Sequence, residues 1–448
     1  MDAGDTLDLD VTAVAHGGVF VARVPAEADG DAAAEGRGGR VVFVPDTIPG
    51  ERVRVRLTDT RKSSFWRGEV LEVLDASPHR RPHVWRAADV DTAPERRPGG
   101  ADFGHIALAH QRTLKTDVIR DALQRVGDVD VPVTMEPAHA GRGADGEAGE
   151  DGDGLGWRTR VSLHVDDAGR VGPYAARSHR VIEVDDLPLA TPEIARAALH
   201  RHGGGAGRID LVQPADGRVR VITRADAPTG RGRGPRRGGR APGAVDPAAR
   251  EVVIETVGSR AFRVDAGGFW QVHRLAATTL TDAVTDALDG LVDPAAEHLD
   301  LYGGVGLLAA AVADLGGAGI RITTVESDAR ATEHAGENLA SWVGARAETG
   351  RVDRWLGALT ASASAAQRAR LAAGTVVLDP PRAGAGADVV DLVAGLRPAH
   401  VVYVACDPVA LARDLRTFRA HGYDTASVRG LDLFPHSHHV EAVAVLSR

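Results

Sequence analysis

Through the first 80 residues, apolar and polar positions alternate in short runs broken by glycine and proline. Val11–Val14, Val19–Val24, Arg40–Val44, Glu51–Leu57 and Arg67–Leu74 read as five strands, the count of a small all-β barrel. Residues 79–105 are irregular and rich in Pro and Arg. The apolar period then lengthens to that of a helix across Leu108–Val126, with Leu108, Gln111, Leu114, Lys115, Val118, Leu123 and Val126 in step. Alternation returns at Trp157–Val165, Val171–Tyr174, Arg180–Val184, Ile209–Val212 and Val219–Ile222, which predicts a β-rich central region. From about Ala249 strands and helices take turns. Glu297–Tyr302, Arg321–Glu326, Thr375–Leu378, His400–Ala405 and Val440–Leu446 read as buried strands of a doubly wound parallel sheet, α/β in class. The pattern divides the chain into a barrel (1–78), a central β-rich domain (79–248) and an α/β domain (249–448). Two low-complexity inserts, near 141–156 and 225–246, lack the apolar content to offset ordering entropy and are expected to be disordered.

Composition narrows the classes. The chain has 448 residues, with Lys+Arg 53 against Asp+Glu 62 and a formal charge of −9. That balance argues against indiscriminate polyanion binding and leaves local basic patches open. Arginine abounds while lysine occurs only at Lys62 and Lys115, which we read as compositional bias rather than a nucleic-acid signal. The single cysteine, Cys406, excludes an intramolecular disulfide, a zinc site with two thiolates and a four-cysteine iron–sulfur cluster. Its isolation fits a reducing cytoplasm. No apolar run approaches the roughly 20 residues that span a bilayer, and the acidic start is unlike a signal peptide, so no membrane partner is expected. On the barrel, Arg54, Arg56, Arg61, Lys62, Phe65, Trp66 and Arg67 mix cations with stacking faces suited to single-stranded RNA. The plain alternative is a solvated hairpin with one core aromatic. The Arg/Gly tract within 225–246 could touch RNA phosphates, but a linker insert is the simpler reading.

The chemistry concentrates toward the C-terminus. HLDLYGGVGLLAAAVA is a strand, a glycine turn and a helix, in which Gly303, Gly304 and Gly306 allow the backbone to approach a nucleotide-like ligand, as in Rossmann-like folds. Glu326 ends the next strand, where an acid can accept ribose hydroxyls. The glycine order departs from GxGxxG, which favours S-adenosylmethionine over NAD. VVLDPPR sets Asp379 at a strand end facing the same crevice, unless it merely caps a turn. VVYVACDPVALARDL places Cys406 between a strand and a helix start, a position expected to lower its thiol pKa and favour a nucleophile over an inert core cysteine. In DLFPHSHHVEAVAVL, Glu441 opens a last strand as a candidate acid/base, and His436, His438 and His439 lack the spacing of a metal site.

Together DLYGGVG, TTVESD, VVLDPPRAG, VYVACDP and FPHSHHVE resemble the motifs of the RNA uracil-5-methyltransferase family. FRVDAGGFWQVH resembles the segment ahead of its methyltransferase sheet. GGVFVARV, GRVVFVPDTIPGERVRVRL and ASPHRRP resemble a TRAM domain, an OB-like RNA-binding barrel, and WRTRVSLHVDDAGRVGPYAARSHRVIEV resembles the central domain. The resemblance implies that Gln271, Tyr302, Glu326 and Asp379 hold S-adenosylmethionine, that Cys406 attacks uracil C6, and that Glu441 removes the C5 proton. It implies an RNA partner, ribosomal before transfer RNA, and we expect a monomer. Many family members carry an iron–sulfur cluster; residues 82–111 here have no cysteine, which predicts a cluster-less branch with helix packing in its place. Gly303 stands where the family often has cysteine, a change expected to be harmless, and His273 replaces a usual asparagine.

Three other readings compete. An amino-methyltransferase of adenine or cytosine also uses a DPP turn, but normally follows it with an aromatic, where this chain has Arg382. A catalytically idle RNA-binding protein would have no need of the full set of site residues. A hydride-transfer enzyme fits the glycine turn least well.

Overall fold

The computed structural model describes residues 1–24, 39–142, 148–150, 152–199, 206–225 and 246–448. Strands β1 (Thr6–Ala15), β2 (Val19–Arg23), β3 (Val41–Val44), β4 (Arg52–Asp59) and β5 (Phe65–Asp75) close into a barrel in the order β1-β2-β3-β5-β4. Period-two alternation explains its core: Leu9, Val11, Phe20, Ala22, Val42, Val44, Val53, Val55 and Val70 are buried. Phe103, Ile106 and Leu114 join the same cluster from the following chain, so the barrel is seated on what comes after it.

Segment 76–107 contains only two single-turn 3₁₀ helices, at Arg86–Ala88 and Pro94–Arg96. Helix packing supports one end of this cysteine-free region, where Gln111 donates to the Phe103 and Ile106 carbonyls, and arginine side chains hold much of the rest. Arg97 donates to the carbonyls of Thr92 (2.8 Å), Val90 (2.7 Å) and Val70 (3.2 Å) and to Asp46 (3.0 Å). Arg80 grips the buried Glu51 at 2.6 and 2.7 Å. A loop that cannot form a ladder must satisfy its carbonyls otherwise, and one guanidinium supplies five donors.

Helix α1 (Leu108–Ala122) buries Gln111, Leu114, Lys115, Ile119 and Ala122, close to the face its period predicts. Strand β6 (Val133–Pro137) follows, and β7 (His139–Arg142) pairs with β8 (Ala148–Glu150). Of the two inserts expected to be disordered, 143–147, 151 and 226–245 lie outside the described residues. Strands β9 (Arg160–Val165) and β10 (Val171–Gly172), helix α2 (Pro192–Ala198), and strands β11 (Gly207–Val212) and β12 (Arg220–Ala225) build a sheet ordered β10-β9-β11-β12. The strand expected at Arg180–Val184 does not form. Val181 makes a single bridge to Tyr174, because Ala175–Arg180 folds back as a tight turn. A hairpin, β13 (Val252–Val257) and β14 (Arg260–Asp265), leads into the last region.

There α3 (Ala276–Leu288), β15 (Glu297–Leu301), α4 (Leu307–Gly316), β16 (Arg321–Glu326), α5 (Ala329–Asn338), β17 (Ala345–Thr349), α6 (Val352–Ser362), α7 (Ala365–Ala372), β18 (Thr375–Leu378), α8 (Ala387–Leu396), β19 (His400–Ala405), α9 (Pro408–Ala420), β20 (Asp424–Asp432) and β21 (Glu441–Ser447) follow in turn. The sheet runs β17-β16-β15-β18-β19-β21-β20-β6, with the first five strands parallel and β21 antiparallel to both neighbours. Val377, Val402 and Val404 face one core, while Val376, Leu378, Val401 and Tyr403 face the other, as a sheet covered on both sides requires. Strand order reverses between β15 and β18, which opens a crevice at their carboxyl ends. The edge strand β6 comes from well ahead of residue 249. The α/β sheet thus draws on the segment that the sequence pattern assigned to the central domain.

Candidate active site

A cleft of about 1460 Å³ opens over the carboxyl ends of β15, β16, β18 and β19, and all six expected site residues line it. Parallel strands bring Tyr302, Glu326, Asp379 and Cys406 to one edge because each follows or ends a strand that runs the same way. Glu441 arrives by the opposite route. Strand β21 is antiparallel to β19, with Ala442 opposite Ala405, so its first residue meets the last turn of β19 beside Cys406. Gln271 reaches the cleft from the segment after β14.

The glycine turn explains its own composition. Tyr302 adopts φ 65° and Gly304 and Gly306 adopt φ 54° and 88°, the left-handed region. A Cβ at Gly304 would meet nothing within 4 Å, leaving open space above the turn, whereas one at Gly303 would strike Thr324 Oγ1 and the Asp300 carboxylate. A cysteine could not stand at Gly303 here without a shift of Thr324 or Asp300. Glu326 is locked in place: it accepts from Gly304 N (3.2 Å), Ser327 Oγ (2.9 Å) and Asp328 N (2.8 Å).

Three of the carboxyl groups that line this space, Asp300, Asp379 and Glu441, hold their protons more tightly than usual. Asp300 is fully buried on β15; one oxygen accepts from Thr324 Oγ1 at 2.9 Å and the other has no partner among the described residues. Burial pushes its pKa up to about 6. Asp379 is pushed up to about 7 by burial and then by Asp300. Glu441 is raised well above the ordinary carboxylate range by burial and by Asp379, against the opposing charge of Arg382. An acid-lined cleft beside a nucleoside-sized space suits a cationic, nucleoside-bearing ligand, and the residues present fit S-adenosylmethionine.

Cys406 departs from expectation. Its thiol is pushed up to about 11 by burial, then by Glu441 and Asp379, with Arg382 opposing. The helix start that was expected to lower it is occupied. Asp407 Oδ1 accepts from Val409 N (3.0 Å) and Ala410 N (2.8 Å), so a carboxylate rather than the thiol receives those donors.

The three histidines separate. His436, at φ 63°, is held by Gln111 through its Nδ1 (2.9 Å) and backbone N–H (2.8 Å). His438 Nδ1 lies 2.7 Å from Asp102. His439 lines the cleft, its pKa pushed down to about 3 by burial, then by His438 and Arg382. Among the described residues no group of three or more His, Cys, Asp or Glu could hold a metal ion. His273, in place of the usual asparagine, stacks on Trp157 with centroids 5.2 Å apart and accepts from Leu275 N at 3.0 Å just ahead of α3.

A relative from Streptomyces avermitilis, named only as an uncharacterized RNA methyltransferase, is 35% identical over 463 residues, covering 99% of this chain and 98% of its own. The tRNA (uracil-5-)-methyltransferase family model matches residues 366–448, and the TRAM domain model matches residues 3–71. The chain belongs to the RNA uracil-5-methyltransferase family. An uncharacterized RNA methyltransferase of Bifidobacterium longum is 34% identical, with 92% of each chain covered. In fold the chain is similar to the Pyrococcus abyssi tRNA (uracil-54, C5)-methyltransferase solved with S-adenosyl-L-homocysteine. That TM-score is 0.65 at 19% identity, covering 98% of this chain and 100% of that one. The protein is an S-adenosylmethionine-dependent RNA (uracil-5-)-methyltransferase with an N-terminal TRAM barrel.

On this RNA methyltransferase the barrel's basic cluster is mostly spoken for. Arg54 pairs with Asp8 and Glu72, Arg56 with Glu69, and Arg61 with Asp59. Trp66 is turned into the core. Lys62 and Arg67 flank the Phe65 ring at 4.7 and 5.9 Å, a smaller cation–aromatic patch than the sequence suggested. The sequence reading overlooked Asp300 and His439 as cleft residues. A lone carboxylate inside the apolar run HLDLY was the available signal for the first; the second had been weighed only as a metal ligand.

Proposed function

We propose that this enzyme methylates C5 of a uridine in ribosomal RNA through a covalent bond between Cys406 and uracil C6. The observation that carries the reading is the antiparallel β19–β21 pairing, which sets the lone thiol beside the buried Glu441. Uracil C5 is a poor nucleophile. The Cys406 thiol gives up its proton to solvent, and the sulfur electron pair forms the bond to C6 as the C5=C6 π pair shifts onto C5 and the C4 carbonyl oxygen, the gain of covalent catalysis. Bound S-adenosylmethionine supplies a methyl group on a sulfonium, and Gln271, Tyr302, Glu326 and Asp379 are the residues proposed to hold it. Glu441 then takes the C5 proton, and the electron pair of that C–H bond expels the Cys406 sulfur from C6. Burial beside Asp379 raises the proton affinity of Glu441, which suits a base drawing a proton from carbon. The target base must be unstacked to enter the cleft, and the barrel and central sheet would hold the flanking RNA.

The TRAM barrel supports ribosomal over transfer RNA as the target. A single chain supplies every residue of the site, in keeping with a monomer, and the single cysteine is in keeping with the cytoplasm; no described helix is long and apolar enough to cross a membrane. The test is a covalent trap. Enzyme and S-adenosylmethionine are incubated with 5-fluorouridine-substituted ribosomal or transfer RNA and run on a denaturing gel. Fluorine cannot leave as a proton, so an adduct accumulates that is absent in Cys406→Ala, and the better-trapped RNA names the substrate class. No adduct with either RNA, from protein that still binds S-adenosylhomocysteine, would overturn the covalent route.

A further inference from the structure

The turn between β1 and β2 of the barrel reaches both loops of the proposed chemistry. His16 Nε2 lies 3.3 Å from Asp407 Oδ2. Asp407 adjoins Cys406, and its other oxygen already caps α9, so its carboxylate is shared between the helix and the barrel. Two residues on, Gly18 sits at φ 72° against His438, where a Cβ would come within 2.8 Å of the ring Nδ1. The His438 ring lies 4.1 Å from that of His439, which faces the cleft near Glu441. One turn of the RNA-binding barrel thus touches the loop after the nucleophile and the loop before the base.

We infer that His16 is a positioning residue: by holding Asp407 it fixes Cys406 relative to Glu441, making the barrel part of the catalytic assembly. The inference rests on the covalent reading above. That reading needs sulfur at C6 and carboxylate at C5, two bonded atoms served from separate loops. A misplacement of about 1 Å in such an arrangement can cost about a hundredfold in rate. The His16 side chain is 47% exposed, so its pairing adds little to stability and its loss should spare the fold.

The experiment compares full-length wild type, His16→Ala and His16→Gln in single-turnover trapping on 5-fluorouridine RNA, alongside RNA affinity, S-adenosylhomocysteine binding and melting temperature. At saturating RNA, His16→Ala slows adduct formation about two- to fivefold, the scale of one lost, partly exposed ion pair, while the other three readouts stay level. His16→Gln, whose amide can donate to Asp407 in place of the imidazole contact, recovers most of the rate. An unchanged rate at saturating RNA overturns the inference, including the case where only RNA affinity falls and His16 is a phosphate contact. So does a glutamine variant no better than alanine, or a rate loss that tracks a lowered melting temperature. Wild type without adduct defeats the covalent reading and this inference with it; wild type with adduct and unaffected variants defeats this inference alone.

Discussion

At the residue scale, burial and like charge outweigh the helix start at Cys406. A thiol raised to about 11 is almost wholly protonated in the free enzyme at neutral pH. Alkylation by iodoacetamide, unambiguous because Cys406 is the only cysteine, should rise about tenfold per pH unit from pH 7 to 10 without levelling. A plateau near pH 7 would restore the lowered pKa expected from sequence. Asp379 gives a second handle. Its folded pKa of about 7 exceeds its ordinary 3.8, so the folded chain favours the protonated form. That contribution is complete below the ordinary value and is lost as pH rises through about 7. Asp379→Asn should therefore melt above wild type at pH 8, with the gap closing toward pH 4, as thermal melts across that range would show. These pKa shifts were illegible in the sequence because they come from residues brought together across four strands.

At the scale of elements, the loop ahead of Glu441 is held from outside its own sheet. Lys115 of α1 is fully buried and donates to Asp432 at 2.6 Å and to the Phe434 carbonyl at 2.9 Å, while Gln111 fixes His436. Removing one partner of a buried pair leaves an uncompensated charge. Lys115→Met should lower unfolding free energy by about 3 kcal/mol in urea titrations, and adding Asp432→Asn should return part of it. A neutral outcome for Lys115→Met would mean that Arg112, 3.2 Å from Asp432, suffices alone. Strand legibility followed burial. The buried runs of β15, β16, β18, β19 and β21 were readable from their apolar content. By contrast β17, ARAET, and the first half of β20, DTASV, are polar edges that pair without announcing themselves. The β13–β14 hairpin did carry a period-two signal with Gly258 at its turn, and was passed over as the start of the α/β pattern.

At the scale of the whole molecule, the barrel, the central sheet and the α/β sheet are interlocked rather than strung in line, with β6 and α1 tying early chain to the C-terminal sheet. Residues 226–245 lie outside the described residues, and their flanks are joined directly: Thr223 donates to Asp246 Oδ2 through both N–H and Oγ1 at 2.9 Å. Replacing 226–245 with a short Gly/Ser linker should leave melting temperature and adduct yield at wild-type level; a loss of RNA affinity alone would reveal the Arg/Gly tract as an RNA contact. The sequence by itself determined the barrel, the alternating α/β region, the motifs and the residue types of the site, because apolar period and turn chemistry are local properties. Only the tertiary structure decided that an antiparallel last strand delivers Glu441 to Cys406, that Asp407 takes the helix start from the thiol, and that a barrel turn reaches both loops. Those outcomes depend on strand order and on charges meeting across long sequence separations, which no local pattern encodes.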